Sequence, residues 1–359
     1  MGFRLGEETI HLAKVQILSD IPYPVAVGAG VHIPSFAEVY DLLLPCPPDA
    51  GLVLGVILGT EDMQGTLPEE LKTLAPLFKK GEGILPQSGV PFVFDHCAMQ
   101  EYPHLGIFGG SGSGKSFGMR AILEELLEKQ IPTLVFDPHY EMSFATPFEG
   151  IDGGAAKKYT GRTELLTVGR DTGVNFEDLT SGDLASLLMA AGGNFTEGMD
   201  NALKAIHQGK DSFLSFCQKL DYCIGLAEKE EETRAEIRKK YGENSGYEKK
   251  IENLARQAGH PSSLRGIRWR LHRLNREGIF QKDISPITSA LLRRRLTVIR
   301  GPIWLLTVFS AYLVRKLYGM RRDYQDALQR GDTPGDKFPP FIIVTDEAHN
   351  FARRGIDFV

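Results

Sequence analysis

Short apolar runs broken by proline and glycine fill the first hundred residues. Ala13 to Leu18, Val25 to Val31 and Leu52 to Gly59 are rich in Val, Ile or Leu and lie between Pro/Gly turns, which predicts short strands. Helical spacing is confined there to Ser35–Leu44 and Pro68–Lys80. The pattern then changes. HLGIFG (His104 to Gly109) and IPTLVFD (Ile131 to Asp137) are continuous apolar runs of the kind that form buried strands. Between them, Phe117 to Gln130 puts Ile122, Leu123, Leu126 and Leu127 on one helical face and Glu124, Glu125 and Glu128 elsewhere. Pro138 ends the second run in a turn, and one further strand and turn fall within 164–180. From Ser181 to Leu296 the spacing is helical and charged. LTVIRG (Leu296 to Gly301) returns to strand, a long helix runs from about Ile303 to Arg330, GDTPGDKFPP interrupts it, and FIIVTDEAHN supplies a last apolar strand ending in acids.

This order predicts an α/β fold with four parts: a β-rich N-terminal domain (1–100), a first part of an α/β core (101–180), a helical insertion (181–295) and a second part of the core (296–359).

The stretch GGSGSGKS, Gly109 to Ser116, sits between the strand and helix patterns. Gly109, four residues, Gly114, Lys115 and Ser116 reproduce the P-loop spacing. Each residue type has a task. Gly109, Gly110, Gly112 and Gly114, with Ser111 and Ser113, let successive backbone N–H groups turn toward a phosphate without Cβ obstruction. Lys115 supplies a mobile positive charge for the β- and γ-phosphates, Ser116 offers a hydroxyl to Mg²⁺, and the helix that includes Phe117 adds its positive N-terminal end. The competing reading is a flexible Gly/Ser loop in a chain with 39 glycines. Strand, glycine loop and helix in succession favour the phosphate cradle.

The last strand predicts the other half of the site. Asp346, at its end, would hold Mg²⁺ opposite Ser116, and Glu347 would orient and polarise the water attacking the γ-phosphate. The alternative is a strand end decorated with solvated acids. Two adjacent carboxylates disfavour a small-molecule kinase, which must exclude water, and no N-K-x-D guanine-reading motif is present. An ATPase using ATP, Mg²⁺ and water fits.

Composition narrows the picture further. Of 359 residues, 42% are hydrophobic and 24% charged, as in globular proteins, and the net charge of −5 requires any nucleic-acid surface to be local. Cys46, Cys97, Cys217 and Cys223 form no C-x-x-C pair, so reduced thiols and a cytoplasmic location are expected. The N-terminus lacks a signal-peptide core. The longest apolar run, Pro302 to Val314, falls short of the ~20 residues of a span and predicts a buried helix, so no membrane partner is expected. Lys249 to Arg300 holds 13 Lys or Arg against three acids. It is either a surface that neutralises nucleic-acid phosphates, with Arg293, Arg294 and Arg295 as contacts to DNA or a partner, or a solvated helical face balanced by the acidic run Glu228 to Glu236.

Four blocks together resemble the HerA family of DNA-translocating ATPases, in the HerA–FtsK branch of RecA-like motors: GIFGGSGSGKS, LVFDPHYEMS (Leu134 to Ser143), LTVIRG with its following helix, and FIIVTDEAHNFARRG (Phe341 to Gly355). The second block is the most specific, with Asp137 and Glu141 in the family's D-P-x-x-E setting. The resemblance covers residues from about 100 onward; the N-terminal part looks only loosely like the small barrel that precedes such motors. It implies a hexameric ring threading double-stranded DNA, beside a NurA-like nuclease or another effector, in DNA end processing or antiviral defence. It also implies further strands, a sensor residue and an arginine finger after the last block, and these are expected past Val359. Residues 1–359 alone are then expected to bind nucleotide weakly, hydrolyse little and form no closed ring. Arg321 and Arg322 are candidates for the finger within the chain, against a plain exposed basic helix. Asp346 to His349 spells DEAH, but DEAH helicases carry a second RecA-like domain and more closely spaced motifs. A secretion or conjugation ATPase shares every motif named, and a nucleotide-bound assembly module that does not translocate stays open.

Overall fold

The structure, a computed structural model, describes residues 2–5, 8–11, 28, 30, 32, 34–79, 82–101, 103–144, 159, 161–243, 246–332 and 337–351. The predicted strand Ala13 to Leu18 lies outside these residues, as does most of Val25 to Val31.

The N-terminal strands form three separate antiparallel pairs among the described residues: β1 (Gly2–Leu5) with β2 (Glu8–His11), β3 (Leu52–Val56) with β6 (Pro91–Phe94), and β4 (Leu77–Lys79) with β5 (Gly83–Leu85). A closed barrel is not formed by them. Helix α1 (Phe36–Leu43) starts where Ser35 predicts, with the Glu38 carboxylate accepting from the Ser35 N–H and hydroxyl. The expected helix Pro68–Lys80 is corrected to one turn, α2 (Glu69–Lys72), followed by β4. Pro76 is the cause: it cannot continue a helix and excludes the α region for the residue before it, and Ala75 takes φ 53°. Phe36, Leu44, Leu67, Leu71, Val90 and Val93 form a small core of their own.

The central sheet is parallel throughout, in the order β10–β7–β9–β8: β7 (Thr133–Phe136), β8 (Thr163–Thr167), β9 (Leu296–Arg300) and β10 (Ile342–Thr345). All four strands were predicted. β7 is buried at every position, as a run with apolar side chains on both faces requires. Helix α3 (Lys115–Glu128) covers one face, where Met119, Leu123, Leu126 and Leu127 meet Val135, Leu296 and Val298. The other face packs on the helices that follow β8 and β9. These are α4 (Ser181–Ala190), α5 (Glu197–Ile206), α6 (Phe213–Ala227), α7 (Glu231–Tyr241), α8 (Tyr247–Ala258), α9 (Pro261–Arg276), α10 (Ser285–Leu292) and the crossover α11 (Ile303–Gln329). The apolar start of α11 is buried core, and among the described residues no helix is long and apolar enough to cross a membrane.

One strand expectation is corrected. His104 to Gly109 makes no strand pairing among the described residues, and Leu105, Ile107 and Phe108 are exposed. An apolar run marks where a strand is favourable, but pairing requires a neighbour with free backbone groups alongside. β10, the edge strand of the sheet, is paired among the described residues with β7 alone.

The helical insertion has its own aromatic centre. Phe176 packs against Phe213, Phe216 and Phe280, and the buried His207 ring stands edge-on to Phe176 and Phe216. His207 Nδ1 lies 3.0 Å from the Ser181 hydroxyl, and Nε2 has no partner among the described residues. Burial pushes its pKa below the ordinary 6.5. Between the two pKa values the unfolded chain binds the proton more readily than the folded one. The stabilisation is therefore complete above about pH 6.5 and is lost as pH falls from there toward the folded value. We expect the urea midpoint to rise with pH up to this point and then level, and His207→Gln to remove that part of the slope. An unchanged slope in the variant would assign the pH dependence to other groups.

Candidate nucleotide site

The P-loop has the backbone that its glycines permit. Gly112 (φ 75°) and Gly114 (φ 89°) take left-handed conformations, and Gly114 caps α3, whose first two residues are Lys115 and Ser116. Lys115 Nζ folds back to donate to the Gly110 carbonyl at 2.8 Å. Residues 103–114 are exposed, as is Phe117, so the loop is open to solvent. A Cβ at Gly109 would collide with Ser113 Oγ, so that hydroxyl would have to turn away.

α3 is fixed at both ends. Near its start, Arg120 donates to the Ser143 carbonyl at 2.5 Å and stacks over Phe144 at 5.2 Å, which ties the P-loop helix to the chain leaving β7. Near its end, Glu125 accepts the Val53 N–H at 2.8 Å, and Lys129 donates to the Pro48 and Asp49 carbonyls at 2.9 and 3.0 Å. The P-loop helix thus bridges the N-terminal strands and the C-terminal ends of the central sheet. In parallel α/β sheets ligands bind at those strand ends.

β7 and β10 are adjacent and in register there, with Phe136 opposite Thr345, so the acids that follow them emerge side by side. The ladder continues one step further: Asp346 N–H reaches the Phe136 carbonyl at 3.3 Å and Asp137 N–H the Ile299 carbonyl at 3.0 Å. Phe351 turns back beneath the sheet and packs on Phe136 at 5.5 Å, which closes the turn after β10. Glu347 stands in that turn with φ 54° and ψ 51°, a left-handed conformation costing on the order of 1–3 kcal/mol for a residue with a side chain. Its carboxylate meets His349 Nδ1 at 3.1 Å.

Asp346 is half-buried, and burial raises its pKa. The hydrogen bond from Glu347 N–H and the charge of His139 oppose the rise, while the charges of Glu347 and Glu141 add to it. Asp137, Asp346, Glu347 and Glu141 therefore concentrate negative charge at one end of the sheet. That donor chemistry fits a divalent cation, which would relieve the repulsion. Among the described residues no three His, Cys, Asp or Glu converge as a metal cage. Mg²⁺ needs none, because phosphates and waters fill most of its shell beside one or two protein oxygens. Ser116 and Asp346 are the side chains that would hold it.

The remaining sequence candidates separate in space. Asp137 is buried and fully engaged: its carboxylate accepts from the Glu141 and Met142 N–H groups, both at 3.0 Å, and from Arg300 Nε at 2.9 Å. Glu141 is exposed beside it. Arg293 and Arg294 are exposed in the turn leading into β9, at the end of the sheet away from the acids, and Arg295 is ion-paired with Glu164. Arg321 donates to the Phe338 carbonyl and stacks over Tyr324, while Arg322 is exposed beside Asp323. Much of the basic segment is consumed internally. Arg265 pairs with Glu228 at 2.6 Å and Arg268 with Asp221 at 2.9 Å. Arg270 and Arg273 donate to the Gly192, Asn194 and Ala191 carbonyls. Arg300 was not singled out from the sequence; its one signal there was a cation ending an apolar strand, LTVIRG.

A parallel α/β sheet, a glycine loop opening a helix at the strand ends and paired acids on the neighbouring strand define the class: this is a P-loop ATPase core. The sequence profile of the helicase HerA central domain matches residues 83–300, more than half of the chain, and the chain belongs to that family. No curated protein matches it in sequence. A P-loop ATPase of this family uses a nucleotide, usually with Mg²⁺.

Proposed function

We propose that this protein is an ATP-driven motor that assembles as a hexamer and moves along double-stranded DNA beside a nuclease or other effector. The observation that carries the proposal is the emergence of Asp346 and Glu347 next to Asp137 and Glu141 at the strand ends, with α3 tied to the same loop through Arg120. In this reading Gly109 to Phe117 cradle the phosphates, Lys115 neutralises charge on the transferred phosphoryl group, Ser116 and Asp346 hold Mg²⁺, and Glu347 orients the attacking water. Glu347 reaches that task by leaving His349.

The test is the ATPase rate with and without duplex DNA. DNA-stimulated hydrolysis is the expected result. Hydrolysis or tight ATP binding that is indifferent to DNA would leave a nucleotide-bound assembly module instead.

DNA contact has its own test. Arg293 and Arg294 are exposed, and among the described residues neither forms an ion pair. If both meet phosphates, replacing them with Ala weakens binding to all sequences alike and flattens log K against log salt by up to about two units. Arg295→Ala is expected to act through the lost Glu164 pair, on stability. Unchanged salt dependence in the double variant would return the cluster to a solvated turn.

A further inference from the structure

We propose that Arg300 is a positioning residue for the acid cluster. It latches the end of β9 to the loop after β7, which leaves the sheet beside Asp346. The inference rests on the reading of this cluster as a Mg²⁺–ATP site.

The guanidinium spans two kinds of partner, a carboxylate and backbone carbonyls. Arg300 Nε donates to Asp137 Oδ2 at 2.9 Å, and one terminal nitrogen donates to the Met142 carbonyl at 2.9 Å and lies 3.4 Å from the Tyr140 carbonyl. The guanidinium also stacks over the Tyr140 ring at 5.3 Å. Asp137 is 0% exposed and the Arg300 side chain 12%. The same Asp137 carboxylate accepts from the Glu141 and Met142 N–H groups. The loop is therefore closed from both sides, its N–H groups held by Asp137 and its carbonyls by Arg300.

The loop takes this shape against its own preference. Tyr140 lies at φ 63°, a left-handed conformation that a residue with a bulky side chain avoids unless its surroundings impose it. Pro138 restrains the loop's start, and Arg120 holds the Ser143 carbonyl at its far end. The consequence is one of placement: β7 and β10 are adjacent and in register, with Asp346 N–H on the Phe136 carbonyl, so the loop that Arg300 holds leaves the sheet beside Asp346. Three donors occupy most of the Asp137 carboxylate's acceptor sites. Its role is to shape the loop, and Arg300 keeps it in place. Lysine cannot substitute, because one ammonium lacks the planar fork that reaches the carboxylate and the Met142 carbonyl together.

The test uses Arg300→Lys, which retains the positive charge against buried Asp137, and Arg300→Met as the stronger variant. Hydrogen exchange of the Glu141 and Met142 amides reads the latch directly. Equilibrium binding of a fluorescent ATP analogue, with and without Mg²⁺, reads its effect on the site. In Arg300→Lys we expect the two amides to exchange at least about tenfold faster while those of Val135 and Val298 keep their protection. The tightening that Mg²⁺ gives to ATP binding should shrink by roughly 10–100-fold, the usual scale for lost outer-shell partners, with Mg²⁺-free affinity unchanged. Unaltered loop amides, or unaltered Mg²⁺ dependence, would overturn the proposal. So would equal loss of protection in the strands, which would make Arg300 a plain core ion pair. If Arg300→Met does not fold, Arg300→Lys decides. If the wild-type protein shows no Mg²⁺-dependent ATP binding, the reading of the site fails, and the exchange of the two amides alone decides the latch.

Discussion

Lys115→Ala is expected to lower ATP turnover by roughly 10²–10³-fold, the scale of a lost donor to the transition state. The structure sharpens the expectation. Lys115 Nζ is bonded only to the Gly110 carbonyl of its own loop, at 2.8 Å, among the described residues. Its removal takes no ion pair from the core, and the apolar face of α3, Leu123, Leu126 and Leu127, stays buried. The variant should therefore unfold at the same temperature as wild type while losing hydrolysis. A steady-state phosphate-release assay beside a thermal melt separates the two. Turnover within a few-fold of wild type would remove Lys115 from the site. A large fall in melting temperature would make it a structural residue.

Glu347→Gln should bind ATP and hydrolyse it slowly, losing roughly 10²–10⁴-fold in rate, the range for a general base. Gln keeps the volume and a hydrogen-bonding oxygen, so the turn between Asp346 and His349 can persist, but the proton acceptor is gone. Asp346 should gain from the exchange as a cation ligand, because the neighbouring charge of Glu347 is one of the causes of its raised pKa. ATP affinity in the presence of Mg²⁺ is therefore expected to be equal to or tighter than wild type. Loss of ATP binding would move Glu347 from chemistry to architecture. The pair Glu347–His349, at 3.1 Å, makes a further distinction: His349→Ala frees the carboxylate but leaves the base, so it should spare most of the rate.

The elements legible in the sequence were those with strong periodicity and local punctuation. Pro138 ends β7, the glycine loop opens α3, and the 27-residue α11 announces itself by spacing alone. Ser35 starts α1, and Thr180 starts α4, with its hydroxyl accepting the Asp183 N–H. Where the structure departs from the spacing, a single residue was responsible, or no pairing neighbour lies among the described residues. Pro76 cut the expected helix after Lys72 into a turn and a strand. The apolar run before Gly109 was strand in character, yet a strand exists only where another backbone is free to pair.

The chemical vocabulary of this protein was determined by sequence alone: a phosphate loop at Gly109 to Ser116, acids after Val344, an acid pair at Asp137 and Glu141. Such residues act through types at fixed short spacings, and short spacing survives translation into a linear text. What surrounds each acid was decided only by the fold. Asp137 and Asp346 are alike in sequence, each an acid at the end of an apolar strand, and their surroundings divide them. Asp137 is sealed at 0% exposure beneath Arg300, a residue 163 positions away that β9 delivers to its side. Asp346, on the edge strand, keeps a carboxylate that burial and its acidic neighbours hold short of positive charge. The basic segment divides in the same way, since partners such as Asp221, Glu228 and Glu164 come from other elements and a count of charges along the chain cannot anticipate them. Burial and long-range pairing are properties of packing, and packing joins residues that the order of the chain keeps apart.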